Sequence, residues 1–193
     1  MWALNQAKSI HQNECEFISS RSSFESLIPL LGSNYSHRLK YLVELELQPA
    51  CTIERPPRSK LAGTKAFMAI GALRGEPHSF MHGLESFFCV LFWVCIHHDG
   101  FDENGKIKRR IVPDYEEWNY ISTKKLSDLK SGLVIEEERF EQAIAEFSSY
   151  CKSLSFCVQE LHKYIFPNGR RWLGENRELY SQIRGVLDKA RGT

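Results

Sequence analysis

The sequence has almost no net charge: 25 Lys and Arg stand against 24 Asp and Glu, a formal balance of +1. No global field draws the chain to nucleic acid or to an anionic membrane, so any partner has to be recognised by a local site. Paired cysteines are missing too. Cys15, Cys51, Cys89, Cys95, Cys151 and Cys157 form no C-x-x-C, and no His pair at zinc-finger spacing accompanies them. That pattern excludes the common structural zinc sites and reads as buried free thiols in a reducing compartment. The N-terminus MWALNQAKSIHQNE lacks the basic and apolar stretches of a signal peptide. The most apolar run, FFCVLFWVCI at 87–96, is about half the roughly 20 residues that a membrane span needs. A soluble, intracellular protein, of cytoplasm or nucleus, is the expectation.

Phosphate-binding and catalytic signatures are equally absent. There is no G-x-x-x-x-G-K-[ST], no G-x-G-x-x-G, no G-x-S-x-G and no H-E-x-x-H. His97-His98-Asp99 invites a metal reading, but neighbouring helical residues point about 100° apart, so two such imidazoles cannot easily share one ion. A helix C-terminus, where His suits the dipole, is the better account of the pair. Glu44 and Glu46 lie two apart and would share one strand face, as paired acids or as a weak divalent site. A solvated strand face has more weight. Arg55, Arg58, Lys60 and Lys65 make a basic loop that would suit a phosphate, and again a solvated loop is the simpler reading.

What is present is enough for one core, with 42% apolar and 25% charged residues in 193. Residues 1–38 are poorly defined: a Ser-rich stretch, then an apolar patch broken by Pro29 and Gly32. In LKYLVELEL, 39–47, Tyr41, Val43, Leu45 and Leu47 alternate with the residues between them, which predicts a short strand. Pro49, Pro56 and Pro57 end it and open an extended loop. The stretch 67–76 is read as a short helix closed by Gly75 and Pro77. From Leu84 to Ile96 the text is apolar nearly all round, as in a helix at the centre of a helical domain. DENGKIKRRIVPDYEEWNY is read as a charged surface loop anchored by Tyr115, Trp118 and Tyr120. Leu126, Leu129 and Leu133 predict a helix with Thr123 as its cap. Phe140, Ile144, Phe147, Tyr150, Cys151, Leu154, Leu161 and Ile165 predict one long amphipathic helix, with 153–155 as the candidate interruption. FPNGRRW turns the chain, and Leu179, Ile183, Val186 and Leu187 line one face of a closing helix.

The fold class expected is therefore mainly α, with a short β element near the N-terminal third. One stretch goes further. GTKAFMAIGALRGEPHSFMHGLESFFCVLFWVCIHHDGF closely resembles the fungal-type protein-kinase-like family, from the end of the activation loop into the central helix of the C-lobe. YLVELELQPACTIERPP resembles that family's strand and activation-loop start, and FPNGRRW with ELYSQIRGVL resembles its C-terminal end. The resemblance spans roughly 41–190 and implies a partial kinase domain, a C-lobe over 39–193.

It also implies roles. Glu44 stands where such kinases carry the metal-binding Asp of Asp-Phe-Gly. Gly63, Thr64, Phe67, Met68 and Ala69 match the loop that faces a peptide substrate. Gly71 stands where the Ala-Pro-Glu-like motif carries its Glu, and Gly83 where an Asp steadies the catalytic loop. The Gly-rich loop, the strand Lys, the catalytic Asp and its Asn have no counterpart here. The resemblance thus implies a truncated, catalytically inactive pseudokinase fragment with no catalytic residue, no metal and no cofactor. It would bind a protein through an uncovered lobe face, and neither nucleic acid nor membrane. The alternative is a Ser/Thr protein kinase whose N-lobe and catalytic loop are supplied elsewhere, and only then do ATP and magnesium enter.

Overall fold

A computed structural model describes residues 65–77 and 79–191, and these are mainly helical. The predicted strand at 39–47 lies outside them. A 3-10 turn, Lys65–Phe67, leads into the short helix α1, Ile70–Leu73. Gly75, at φ +74°, turns the chain out of α1 in a left-handed conformation that glycine adopts without strain.

Helix α2, Phe80–His97, is the centre of the fold. Ser79 caps it, its hydroxyl accepting from Met81 N at 3.3 Å. By length and hydropathy α2 would pass as a membrane span, yet sixteen of its eighteen residues are buried inside the protein. A helix apolar on all sides needs cover on all sides, and here the cover is protein. Phe88 meets Phe140, His162 and Phe166, while Phe92 meets Tyr115, Trp118 and Phe147.

The segment after α2 departs from the expected loop. His98–Phe101 (β1) and Ile107–Arg109 (β2) pair antiparallel, with His98 opposite Arg109 and Phe101 opposite Ile107. The Asp102 carboxylate accepts from Asn104 N and Lys106 N at 2.9 and 2.8 Å, and Gly105 takes φ +75°. The turn is not the two-residue type I′ form that Asn-Gly favours, since of the pair only Gly105 takes a positive φ and the loop runs over 102–106. Strands this short have no alternation long enough to read in the sequence.

Helix α3, Pro113–Glu116, and a 3-10 turn, Glu117–Asn119, carry Trp118 into the core. Helix α4, Thr123–Ile135, is capped by Ser122 rather than Thr123, the Ser122 hydroxyl accepting from Lys125 N at 3.2 Å. The expected long helix is three pieces: α5, Glu137–Ala145, a 3-10 stretch Ser149–Leu154, and α6, Ser155–Ile165. The break falls at 146–148, where the Ser148 hydroxyl donates to His98 O and accepts from Cys151 N. Ser148 therefore ties the break to the start of the hairpin. At 166–170 the chain reverses through Asn168 (φ 55°) and Gly169 (φ 68°). Helix α7, Leu179–Arg191, then packs on α6 through Leu179, Ile183 and Leu187, all fully buried.

Candidate functional site

The stretch 65–70 holds the described part of the expected peptide-facing loop, and the Ile121 backbone, α2 and α4 fasten it. Lys65 Nζ donates to Ile121 O. Phe67 is buried, its ring edge-on to Trp93 of α2 at 5.7 Å and 84°. Lys130 reaches out of α4 to donate to Ala66 O and Met68 O, both at 2.7 Å. Ile70 N, first in α1 and without an intrahelical acceptor, donates to Glu85 Oε1 at 2.8 Å. Glu85 is buried in α2 and so supplies from a distance the cap that Ala69 cannot.

The other Glu85 oxygen opens a charged cluster. Arg171 Nε lies 3.4 Å from Glu85 Oε2, and its two terminal nitrogens donate to Glu76 Oε1 and Oε2 at 2.7 and 2.9 Å. Paired parallel bonds of this kind are the strong form of Arg–carboxylate recognition. The Arg171 guanidinium holds the Glu76 carboxyl below the usual carboxylate range, in spite of partial burial. Buried His82 sits against the same group, 3.6 Å from Glu76 Oε2 and 3.4 Å from Arg171 Nη2. Gly71 makes the arrangement possible: a Cβ there would run into the ends of Arg171, His82 and Glu76. The space that a side chain at position 71 would need is taken by the ends of Arg171, His82 and Glu76.

The remaining expectations resolve as follows. Glu44, Gly63 and Thr64 lie outside the described residues. Phe67 and Ala69 are buried in the core, and Met68 is half-buried against it. Gly83 is buried within α2. His97 and His98 part company: His97 Nδ1 meets Arg110 O at 2.9 Å, while the His98 ring packs on Phe101 and Tyr150. Burial pushes the His97 pKa down, so it is kept neutral and does not serve the helix dipole as a cation. Among the described residues no group of three or more His, Cys, Asp or Glu is placed to hold a metal. Cys89, Cys95, Cys151 and Cys157 are free and buried, as read from the sequence.

Three residues that the sequence reading passed over prove central: Lys130, Glu76 and Arg171. Lys130 did leave a trace, since it shares the helical stripe of Leu126 and Leu133. Arg171 left none, because its partners lie far off in the chain.

Residues 32–95 match the family model described as fungal protein kinase. Over that stretch, about a third of its length, the chain is similar to the fungal-type protein-kinase-like family. The kinase-family stretch contains segment 65–70, α1 and nearly all of α2, and stops short of the later helices that the resemblance also takes in. No curated protein and no solved structure matches the chain.

Proposed function

We propose that this polypeptide is a kinase C-lobe-like module that transfers no phosphate by its own residues and acts, in cytoplasm or nucleus, by binding a protein through an uncovered lobe face, to which segment 65–70 contributes its part-exposed residues Lys65 and Met68. The observation that carries the reading is the fastening of that segment. The Ile121 carbonyl, Lys130, Glu85 and Trp93 hold its backbone and its Phe67 ring in place, from three parts of the fold. A recognition surface gains from such rigidity, because ordering that is already done in the free protein does not have to be done on binding. Catalysis has no comparable support, since the sequence contains neither a Gly-rich phosphate loop nor a His-Arg-Asp catalytic loop. Glu44 in place of the metal-binding Asp keeps the charge but moves it by one methylene, and a misplacement of about 1 Å can cost roughly a hundredfold in rate.

The test is the thermal midpoint of the purified protein with and without ATP and magnesium. A ligand bound only by the folded state raises the midpoint as its concentration passes Kd. No shift, with a cooperative melt, is the expected outcome. A shift that disappears in Glu44→Ala, accompanied by phosphotransfer from pure protein, would overturn the proposal. It would favour the second reading that the family match supports, a Ser/Thr protein kinase completed by polypeptide outside this chain.

A further inference from the structure

Lys130 is a buried Lys side chain that makes no ion pair with a carboxylate among the described residues. It is 2% exposed, among the most deeply buried large side chains of the protein. Its Nζ donates to three neutral acceptors: Ala66 O and Met68 O at 2.7 Å and Cys89 Sγ at 3.4 Å. The Trp118 ring lies beneath it, 5.1 Å from Nζ to the ring centroid. Among the described residues no carboxylate forms an ion pair with it. Burial pushes the Cys89 thiol pKa up, so the sulfur is no thiolate partner either.

An ammonium in such a place is unfavourable unless every proton finds an acceptor. Here three protons meet three acceptors, and the aromatic face adds its own attraction for a cation. For the packing of α4 alone, an unbranched apolar side chain such as methionine would fill the same volume with no charge to desolvate. What only the ammonium does is join two carbonyls of one segment. Ala66 O and Met68 O flank Phe67, and drawing both to a single nitrogen sets the tight turn that aims the Phe67 ring at Trp93.

We infer that Lys130 is the positioning residue of the recognition segment: its ammonium latches 66–68 onto α4 and makes the segment open only when the core opens. The latch rests on the proposed function for its purpose, but the geometry and its test do not depend on any partner. Without the ammonium the Ala66 and Met68 carbonyls are left unsatisfied, and the segment gains by moving outward to water. Glu85, the second fastening, would still hold Ile70 N, so the release is confined to the residues ahead of α1.

Hydrogen exchange of the free chain decides it. The Met68 amide donates to Lys65 O and the Ile70 amide to Glu85, so both report on the closed segment. In the unaltered protein these two amides are expected to exchange within about tenfold of the protected amides of α2. In Lys130→Met the Met68 amide is expected to exchange at least about tenfold faster, with α2 and α7 unchanged. Cys89→Ala, which removes only the third acceptor, is expected to leave the Met68 amide as it was. The inference is overturned if the segment of the unaltered protein already exchanges far faster than α2. It is overturned equally if Lys130→Met accelerates segment and helices by one common factor, or neither. Should Lys130→Met not fold, the measurement on the unaltered protein still stands as the test. Neither nucleotide nor partner is present, so failure here leaves the binding proposal intact, and the reverse also holds.

Discussion

Replacing Glu85 separates two duties that one carboxylate performs. Its Oε1 accepts the Ile70 amide at 2.8 Å, and its Oε2 faces Arg171 Nε at 3.4 Å. Glu85→Ala removes both. A buried amide left without an acceptor costs about 1–3 kcal/mol. The one buried methylene lost adds about 0.8 kcal/mol. Arg171 contributes little to the total, because it is partly exposed and keeps its paired bonds to Glu76. The sum is about 2–4 kcal/mol. Glu85→Gln retains an oxygen for Ile70 N and loses only the charge facing Arg171, which predicts about 1 kcal/mol. Glu76→Gln weakens a pair whose acid is 41% exposed, and its cost should stay below about 1 kcal/mol.

Equilibrium urea unfolding reads this order directly. With a slope of about 2 kcal/mol/M, Glu85→Ala should lower the midpoint by roughly 1–2 M and Glu85→Gln by roughly 0.5 M. The slope itself should not change. If Glu85→Gln proves as damaging as Glu85→Ala, the charge on the Arg171 cluster matters and the cap on α1 does not. If Glu76→Gln exceeds Glu85→Ala, the reasoning from burial fails altogether.

Two further outcomes follow from other parts of the fold. Burial lowers the pKa of both His97 and His162 from the usual 6.5, so the unfolded chain takes up protons first as pH falls. Stability should be full above pH 6.5 and decline below it, by up to about 1.4 kcal/mol per pH unit for each histidine. Thermal midpoints between neutral and mildly acidic pH check this, and the decline should lessen in His162→Gln. Gly169→Ala forces a side chain onto φ +68° and sets its Cβ 3.0 Å from the Ile135 backbone. A loss of about 1–3 kcal/mol is expected in thermal or urea unfolding, and an unchanged midpoint would mean that the turn at 166–170 is free to move.

How much of this was legible in the sequence depends on where each signal lies. Helix α2 could be read because its residues are apolar on every side, a pattern that no surface helix has. Helix α7 could be read because Leu179, Ile183 and Leu187 repeat at helical spacing, and all three are buried. The hairpin at 98–109 could not, since its strands are only four and three residues long, too short for a burial pattern to be read. Ser122 against Thr123 turned on which hydroxyl meets which amide, a matter of one residue, while the interruption expected at 153–155 falls where the 3-10 stretch passes into α6, and the break at 146–148 ahead of it was not read. The site was the least legible part. Phe67, Met68 and Ala69 were singled out by resemblance, but Lys130, Glu76 and Arg171 act across separations of more than sixty residues. No local pattern encodes a contact of that range.

The covering of α2 has a consequence for the order in which the protein is made. Helix α2 is complete at His97, yet the side chains that enclose Phe88 include Phe140, His162 and Phe166. At ordinary rates of synthesis those residues leave the ribosome on the order of several seconds after α2 does. For that interval an apolar helix of membrane-span length lacks Phe140, His162 and Phe166, the rings that later enclose Phe88. The same surface that makes the finished fold cohere is, during synthesis, a surface that chaperones or membranes would see first. Folding of the module is therefore tied to its last helices, and a chain that stops before α6 leaves its own centre bare.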